Sequence, residues 1–309
     1  MKPNLWCHSL ALGALLAGPA LYAATFRVAT YNVETYLDQP TQTRTRIKSA
    51  AAKAKIREGI LAMNPDVLAL EEMGTTNALL ELRASLKAEG LDYPFWEYVT
   101  GYDTNIHVAV LSRFPFTARR PHTSDTFLLG GRRFSVSRGF ADVDIQVNTN
   151  YSFTLLAAHL KSKRPAPDAD ETEMRLEEAR ILREKIDERF KLNPDVNLVV
   201  LGDFNDTYNA RSIREVIGRA SHKLVDTRPA ERSGDSQPNP ANPHCGPRNV
   251  CWTHYYGMED TYARIDYILI SRGMAREWVT NQTCALAISN WGIGSDHRPI
   301  VATFEAENR

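Results

Sequence analysis

The sequence is poor in cysteine, has no excess of charge of either sign and lacks a long apolar run outside its N-terminal segment. Its 37 basic and 37 acidic residues balance, so the net charge neither favours nor excludes a polyanionic partner. A bound divalent cation would add positive charge that this count omits. Repeats, low-complexity tracts and clear linkers are also lacking, which makes one large domain the economical interpretation of 309 residues.

The N-terminus has the pattern of a secretory signal. Lys2 precedes an apolar run over 10–18, and small residues follow up to Ala24. An apolar run of about ten residues between a positive charge and a small-residue site is typical of a cleaved signal, whereas a spanning helix needs about twenty. We therefore expect a signal peptide at 1–24, a mature domain at 25–309, a secreted or periplasmic location and no stable membrane insertion.

Three of the four cysteines follow this segment, and two of them, Cys245 and Cys251, bracket a short loop. An exported protein meets oxidising conditions, so we predict a disulfide between them. Zinc is the competing interpretation, but no second cysteine or histidine pair has ligand spacing. The surrounding segment, 228–250, is rich in proline and glycine and predicts a long loop, either the rim of a binding cleft or a tolerated insertion.

The periodicity of apolar residues predicts a mixed order of strands and helices. Strands are predicted at 26–33, 66–72, 107–112, 134–147 (one or two strands), 152–159, 198–201, 264–270 and 299–304. Helices are predicted at 43–63, 79–90, 170–190 and 212–217. Helices separate some strands but not others, so a simple parallel sheet does not fit. Two packed sheets with helices on their outer faces fit this order better.

Polar residues end or flank these strands one after another. They are Asn32, Glu72, His159, Asp203, Asn205, Asp266, Asp296 and His297. Each has an ordinary structural explanation alone: a cap, a surface acid or a satisfied histidine. Their recurrence on successive strands instead indicates polar groups that converge on one sheet edge as a candidate active site.

The residue types in this set indicate a reaction class. Carboxylate and amide oxygens without thiolates are ligands for Mg²⁺, with Mn²⁺ or Ca²⁺ as alternatives. Two histidines add groups that titrate near neutral pH and can transfer protons. Together they suit hydrolysis of a phosphate ester, in which a metal polarises a phosphoryl oxygen and a water attacks in line.

Basic residues are concentrated in the middle of the chain. They are Arg113, Arg119, Arg120, Arg132, Arg133, Arg138, Lys161, Lys163 and Arg164. Such a cluster is either solvated surface or a patch that faces phosphate groups.

The ordered set of motifs resembles the endonuclease/exonuclease/phosphatase superfamily, from Tyr31-Asn32-Val33 through Gly202-Asp203-Phe204-Asn205 to Ser295-Asp296-His297-Arg298. That superfamily includes pancreatic deoxyribonuclease, exonuclease III-like repair endonucleases, secreted bacterial sphingomyelinases and inositol polyphosphate phosphatases. The resemblance implies an α/β fold of four layers, α/β/β/α, with two mixed β-sheets between helices. The segment 159–164 and the Asp-Phe-Asn-Asp turn are most similar to exported bacterial nucleases.

The resemblance also implies a role for each site residue. Asn32, Glu72 and Asp296 are the implied metal ligands. Asp203 and Asn205 match the pair that handles the attacking water or leaving oxygen and holds the phosphate, and His159 matches a phosphate contact or leaving-group acid. Asp266 is the implied acid that orients His297, itself a general base or a phosphate clamp. Arg138 and Lys161 are the implied substrate contacts.

One residue departs from the family pattern. Glu71 stands where relatives usually carry glutamine. Side chains alternate along a strand, so we expect Glu71 to face away from the site if Glu72 faces it.

These observations predict a secreted, monomeric, divalent-metal-dependent phosphodiesterase that acts on nucleic acid, with endonuclease activity as the leading expectation. A phosphatase or lipid phosphodiesterase on the same fold is the alternative, because a fold does not fix a substrate. A non-catalytic binding module is disfavoured by the intact acid, amide and histidine set. A lipid enzyme should expose aromatic residues near the site, whereas we expect Trp252, Tyr255 and Tyr256 to pack in the core. No protein partner is inferred.

Overall fold

The computed structural model describes residues 24–231 and 251–306. Within these ranges the α-helices are α1 (Ala50–Met63), α2 (Thr76–Ala88), α3 (Glu171–Leu192), α4 (Arg211–Ile217) and α5 (Arg272–Ala275). The strands are β1 (Ala24–Tyr36), β2 (Val67–Met73), β3 (Phe95–Val99), β4 (His107–Ser112), β5 (Phe116–Arg119), β6 (Thr126–Leu129), β7 (Arg132–Ser135), β8 (Phe140–Asn148), β9 (Tyr151–Ala158), β10 (Leu198–Asp203), β11 (Val225–Asp226), β12 (Ala230–Glu231), β13 (His254–Tyr256), β14 (Thr261–Ala263), β15 (Asp266–Ile270), β16 (Cys284–Ala285) and β17 (Ile300–Ala306).

Most of these strands form two mixed sheets. The order in the larger sheet is β12-β16-β17-β1-β2-β4-β3, and the order in the smaller sheet is β11-β15-β10-β9-β8-β5. Strands β1 and β2 are parallel, as are β9 and β10, whereas β15 and β17 run antiparallel to their central neighbours. Two further pairs, β6-β7 and β13-β14, form two-stranded sheets of their own.

Apolar side chains fill three interfaces, so the molecule has four layers. One cluster lies between the two sheets, a second joins the smaller sheet to α3 and α4, and a third joins the larger sheet to α1 and α2. Strand β10 contributes to two of them, with Val199 and Leu201 between the sheets and Leu198 and Val200 against the helices. Burial of both faces explains why its sequence is continuously apolar. The predicted α/β/β/α sandwich is therefore confirmed.

Helix α1 begins later than the sequence predicted. The apolar spacing favoured a start at residue 43, but the helix begins after Ser49, whose side chain accepts a hydrogen bond from Ala52 N. Before it, Thr41 and Arg44 close a turn through backbone and hydroxyl hydrogen bonds. The N-cap residue, rather than the first apolar position, sets the start. At the other end Asn64 adopts a left-handed conformation with φ 47° and stops the helix before Pro65.

The strand directions bring the polar strand ends to one edge of the sandwich. Asn32 and Glu72 lie near the ends of the parallel strands β1 and β2, and His159 and Asp203 lie at the ends of the parallel strands β9 and β10. Asp266 begins the antiparallel strand β15 and pairs in register with Asp203. The sequence predicted that these polar residues converge on one edge, and the strand directions bring them there.

Some expectations concern residues outside the described ranges. Residues 1–23 of the expected signal peptide and Cys245 of the expected disulfide lie outside them, so both stay predictions. Among the described helices, none is both long and apolar enough to pass through a lipid bilayer.

Gly202 gives a test of how tightly β10 is held. Its φ is +133°, and a Cβ there would lie 1.9 Å from the carbonyl oxygen of Ala158 on the adjacent strand β9. We expect Gly202→Ala to lower the free energy of unfolding by about 3 kcal/mol or more, because backbone strain and overlap with the main chain add. Urea unfolding followed by circular dichroism measures this change.

Gly90→Ala is the matched control. Gly90 also has a positive φ, +93°, but an added Cβ would meet nothing within 4 Å. The Gly90→Ala substitution should lower the free energy of unfolding by the backbone strain alone, about 1 kcal/mol. Equal losses in the two variants would show that the contact between β9 and β10 is not close.

Candidate active site

Asp203 is the centre of the candidate active site. It is buried at the end of β10, and its Oδ2 accepts a hydrogen bond from Asn32 Nδ2 at 3.0 Å. His159 Nε2 lies 3.4 Å from the same oxygen, and His297 Nε2 lies 3.8 Å from it. Asn205 donates its backbone N–H to Oδ1 at 2.9 Å and its side-chain amide to Oδ2 at 3.3 Å. Residues from distant parts of the chain thus surround one carboxylate, as the sequence predicted.

His297 is held in one orientation by its neighbours. Its Nδ1 lies 2.9 Å from Oδ2 of Asp266, so its Nε2 faces the cluster. Asp266 is itself held at the start of β15, where its backbone N–H donates a hydrogen bond to Thr253 Oγ1 at 3.2 Å. Ser295 accepts a hydrogen bond from His297 N and donates one to the carbonyl of Asn32. The ring therefore has little freedom to rotate, which is the property required of a positioned acid or base.

Burial and neighbouring charges move the pKa values of this cluster apart. Burial, which the charge of His297 opposes in part, raises the pKa of Asp203 to about 7. Burial would lower the pKa of His297, but the charges of Asp266 and Asp203 outweigh it and raise that pKa well above its ordinary range. Burial, together with the charge of Arg138, holds the pKa of His159 well below its ordinary range. The two histidines are therefore in opposite protonation states near neutral pH.

The carbonyl of Leu160 joins two further site residues. It accepts hydrogen bonds from Arg138 Nη1 at 3.1 Å and from Asn205 Nδ2 at 3.0 Å. Arg138 is 6% exposed, and its Nε has no hydrogen-bond partner among the described residues. The predicted substrate contact Arg138 therefore lies beside the cluster, and its Nε is 3.7 Å from the carboxylate of Asp103, too far for a hydrogen bond.

Glu72 and Asn32 form the predicted metal side of the site. Glu72 has a positive φ of 63°, and its Oε2 accepts a hydrogen bond from Thr35 N at 2.9 Å. Its Oε1 lies 3.4 Å from Asn32 Nδ2, and Arg44 Nη1 lies 3.8 Å from Oε2. The Glu72 carboxylate already attracts the guanidinium of Arg44. Together with the side-chain amide of Asn32, it offers oxygen donors that fit a hard divalent cation.

Two groups of histidine and acidic side chains in the described residues could hold a metal ion. They are His254, Asp296 and His297, and Asp203, Asp266 and His297, with ligand atoms within 4.8 Å of one another in each group. Asp296 thus lies at the site, as predicted. Although its burial opposes the shift, His254 and His297 lower the pKa of Asp296, which keeps it ionised.

His254 is a site residue that the sequence analysis missed. Its ring centroid lies 4.6 Å from that of His297, and its backbone pairs with His297 in an isolated antiparallel bridge. It lies in β13, where its neighbours Tyr255 and Tyr256 resemble an ordinary hairpin strand. A single histidine in such a strand carries no signal that points to the site.

Glu178 is a second missed residue, and here the sequence did hold a signal. This carboxylate is completely buried on α3 and accepts hydrogen bonds from Ser137 N and Oγ and from Lys161 N. It thereby ties the segment before Arg138 to the segment after β9. Glu178 lies four residues from both Met174 and Leu182 on the apolar face of α3, where an acid is out of pattern.

The expectation for Glu71 was wrong. Glu71 is completely buried, accepts a hydrogen bond from Thr30 Oγ1 at 2.6 Å and lies in register with Asn32. Its register with Asn32 places Glu71 beside the cluster, where burial, to which the charges of Asp266 and Asp203 add, raises its pKa well above the ordinary range. A register irregularity at the end of β2 removes the simple alternation that separated it from Glu72.

The basic residues of the middle chain divide into two groups. Arg113 pairs with Asp66, Arg119 pairs with Glu97, and Arg120 pairs with two aspartates, so these three serve the structure. Lys163 likewise lies 3.8 Å from a carboxylate, that of Asp206. The five remaining residues and Arg44 are six basic side chains that instead line a cleft of about 610 Å³ beside the site. They are Arg44, Arg132, Arg133, Arg138, Lys161 and Arg164, and we call this feature the arginine cleft.

The aromatic residues near the C-terminal strands were expected to pack in the core, but they do not. Trp252 and Tyr255 are half-buried and Tyr256 is exposed, on or next to the β13-β14 hairpin. Tyr255 N donates to the carbonyl of Asp296 at 2.9 Å, so this aromatic hairpin is attached directly to the site. At its tip Met258 is 84% exposed, which leaves an apolar side chain in solvent.

Comparison with solved structures shows the same fold. Truncated TDP2 from Caenorhabditis elegans has a TM-score of 0.61 and 17% identity, with coverage of 91% of this chain and 98% of that one. The human Nocturnin catalytic domain with bound sulfate has a TM-score of 0.62 and 15% identity, with coverage of 92% and 95%. Sphingomyelinase C from Streptomyces griseocarneus has a TM-score of 0.58 and 19% identity, with coverage of 91% and 100%.

Comparison of the sequence alone gives two results. A search of curated proteins finds no significant match. The model of the Endonuclease/Exonuclease/phosphatase family, in contrast, matches residues 29–297, a range that contains every polar strand-end residue of the site. The chain therefore belongs to the endonuclease/exonuclease/phosphatase family, whose members hydrolyse phosphate esters with the help of a divalent metal.

Proposed function

We propose that this protein is a secreted phosphodiesterase that hydrolyses nucleic acid with Mg²⁺ as its cofactor. The observation that carries the proposal is the single buried cluster in which Asp203 contacts Asn32 and His159 while Asp266 orients His297. A cluster of like charges is costly to bury, and hydrolysis of a phosphate diester is a reaction that uses each of its members. The signal-like N-terminus supports secretion, as an expectation of the sequence alone.

The residues present suggest a division of labour. Glu72, Asn32 and Asp296 would hold the cation, which when bound would neutralise charge that develops on the phosphate. Asp203 accepts the proton of the attacking water or orients that water. His297, protonated and held by Asp266, donates to a phosphoryl oxygen, and His159 and Arg138 hold the other oxygens. Asn205 positions the Asp203 carboxylate through its two hydrogen bonds to it.

The arginine cleft favours nucleic acid over a small phosphate ester. Six basic and two acidic side chains line it, and it opens beside Arg138 and Lys161 at the site. Repeated phosphates on one strand would match several separated cations, whereas an isolated phosphate would use only one or two.

A lipid phosphodiesterase is the second candidate because of the aromatic hairpin. Tyr256, Met258 and Tyr262 are exposed on it, and its first strand bridges to His297. Exposed aromatic and apolar side chains beside a site can enter a membrane interface. The fold similarity to a sphingomyelinase C is compatible with this candidate but shows the fold alone.

Replacement of the central groups tests the enzyme assignment. We expect His297→Ala and Asp203→Asn each to lower kcat on plasmid DNA by about a hundredfold or more, because each removes a group that moves or stabilises a proton. Gel-based nicking assays with Mg²⁺ measure the rate, and circular dichroism checks the fold. His222→Ala is the control, since His222 stacks on Phe190 at the outer helix face and should retain activity. Losses below tenfold at both site residues would contradict the assigned roles.

Metal removal and a substrate panel test the reaction class. We expect EDTA to abolish hydrolysis of DNA and RNA, and added Mg²⁺ or Mn²⁺ to restore it, because the carboxylate and amide donors bind hard cations. Phosphocholine release from sphingomyelin and phosphate release from inositol phosphates are measured in parallel. Hydrolysis of sphingomyelin without hydrolysis of nucleic acid would select the lipid candidate instead, and hydrolysis in excess EDTA would contradict metal dependence.

The raised pKa of His297 predicts a pH dependence of stability in the metal-free protein. Between the ordinary histidine pKa of about 6.5 and the raised folded-state pKa, the folded protein holds a proton that the unfolded chain has lost. The free energy of unfolding should therefore fall as pH rises through this window. The pKa of Asp203, raised to about 7, also makes the free energy of unfolding fall as pH rises, but over a lower pH range.

Urea unfolding in EDTA at several pH values measures that slope, and NMR of the imidazole measures the His297 pKa. Asp266→Asn should lower that pKa and reduce the slope, because it removes the strongest charge that favours the protonated ring. A wild-type His297 pKa at or below 6.5 would contradict the ion pair.

A further inference from the structure

The arginine cleft extends the site on one side, and it offers more cations than the scissile phosphate alone would use. We propose that it holds the nucleotide next to the scissile phosphate, with arginines on the flanking phosphate and Tyr102 against the unpaired base. This inference rests on the proposed action on nucleic acid. The arginine cleft has a volume of about 610 Å³, which lies within the range of about 300–1,000 Å³ that is usual for ligand sites.

Unbalanced positive charge is the first support. Arg132 pairs with Asp168 at 3.2 Å, and Arg138 Nε lies 3.7 Å from Asp103. Within the described ranges, no ion pair joins Arg133, Lys161 or Arg164 to a carboxylate; Arg133 instead donates to the hydroxyl of Thr126. A cleft wall with three uncompensated cations attracts an anion more strongly than an ordinary solvated surface does.

Lys161 is one of these three cations, and burial has the larger effect on its pKa. Burial, together with the charge of Arg138, lowers it below its ordinary value. Its ammonium donates only to the backbone carbonyls of Ser162 and Arg164. An ammonium that is solvated by neutral carbonyls can still attract a phosphate.

Continuity with the catalytic cluster is the second support. Arg138 bridges the two, because its Nη1 contacts the Leu160 carbonyl that Asn205 also contacts, while its buried Nε lacks a hydrogen-bond partner among the described residues. At another wall Arg44 lies 3.8 Å from Glu72. A strand with its scissile phosphate at Asp203 would therefore pass directly into the cleft.

Tyr102 supplies the contact for a base. It is 76% exposed in the cleft wall, and no ring or cation stacks on it among the described residues. The other aromatic residue of the cleft, Phe134, already stacks on Phe127 and lies under the guanidinium of Arg132. Stacking of bases on a free aromatic face is tolerant of sequence and requires an unpaired strand.

The first experiment compares two double variants. Arg133→Ala/Arg164→Ala removes exposed cleft cations, whereas Arg214→Ala/Arg219→Ala removes exposed cations from a second basic depression that shares no lining residue with the cleft. Fluorescence anisotropy measures binding of a fluorescein-labelled single-stranded 12-nucleotide DNA or RNA in EDTA, where no turnover is expected. Thermal melting confirms that both variants are folded.

We expect the cleft variant to raise Kd at least tenfold and the control variant to change it less than twofold. The slope of log Kd against log salt should decrease by about 1.4 in the cleft variant only, because each lost phosphate contact on a single strand removes about 0.7. Equal behaviour of the two variants would overturn the proposal.

The second experiment tests the base contact. Tyr102→Ala should weaken binding of a normal single strand at least fivefold, and Tyr102→Phe should restore it. An abasic strand, which keeps its phosphates, should bind wild type and Tyr102→Ala equally. Equal loss on the abasic strand would overturn the stacking role.

The binding assay separates this inference from the proposed function. If wild type hydrolyses nucleic acid and the cleft variant binds like the control, the cleft assignment falls and the nuclease assignment stands. If wild type binds strands through the cleft but hydrolyses none with Mg²⁺ or Mn²⁺, the nuclease assignment falls and the cleft assignment stands.

Discussion

The structure depends on the burial of the Asp203 carboxylate at the edge where two sheets meet. An isolated buried carboxylate would cost several kcal/mol, so it must be surrounded by donors and opposite charge. Asn32, Asn205 and the two histidines are those neighbours, and they come from separate parts of the chain. The same neighbours that make the burial tolerable are the groups to which we assign the proposed hydrolysis. Stability and chemistry are thus coupled at this one side chain.

The sandwich supplies the rigidity that such a cluster needs. Strand β10 is buried on both faces, so Asp203 emerges from an element that cannot shift without disrupting two apolar interfaces. The close approach of Gly202 to Ala158 fixes β10 against β9, and through it the spacing between Asp203 and His159. Rigid elements hold reacting groups more accurately than loops do. The less regular loops can then vary without loss of the central geometry.

The sequence predicted the site correctly where a single pattern decided the position of a residue. It misled where a local irregularity in strand pairing overrode the pattern. Polar residues recur at the ends of successive predicted strands, and this recurrence was enough to group Asn32, Asp203 and His297, although Asn32 and Asp203 belong to different sheets. Glu71 could not be placed, because an irregularity in β2 overrides side-chain alternation and is set by pairing with neighbours. His254 was missed for a different reason: its place beside His297 arises from a single bridge between distant segments. Glu178 could have been found, since an acid on the apolar face of α3 requires buried donors.

For the proposed phosphodiesterase, we infer that the walls of the site rather than its centre decide which substrate is bound. The arginine cleft and the aromatic hairpin both reach the catalytic cluster, the first through Arg138 and the second through His254. One wall offers charges at several positions, and the other offers apolar rings and Met258 in solvent. A polyanionic strand can use both walls, because its phosphates match the cations and its bases match the rings. A lipid headgroup has one phosphate and would leave most of the cations unused, so the charge of the cleft is the stronger guide to the substrate.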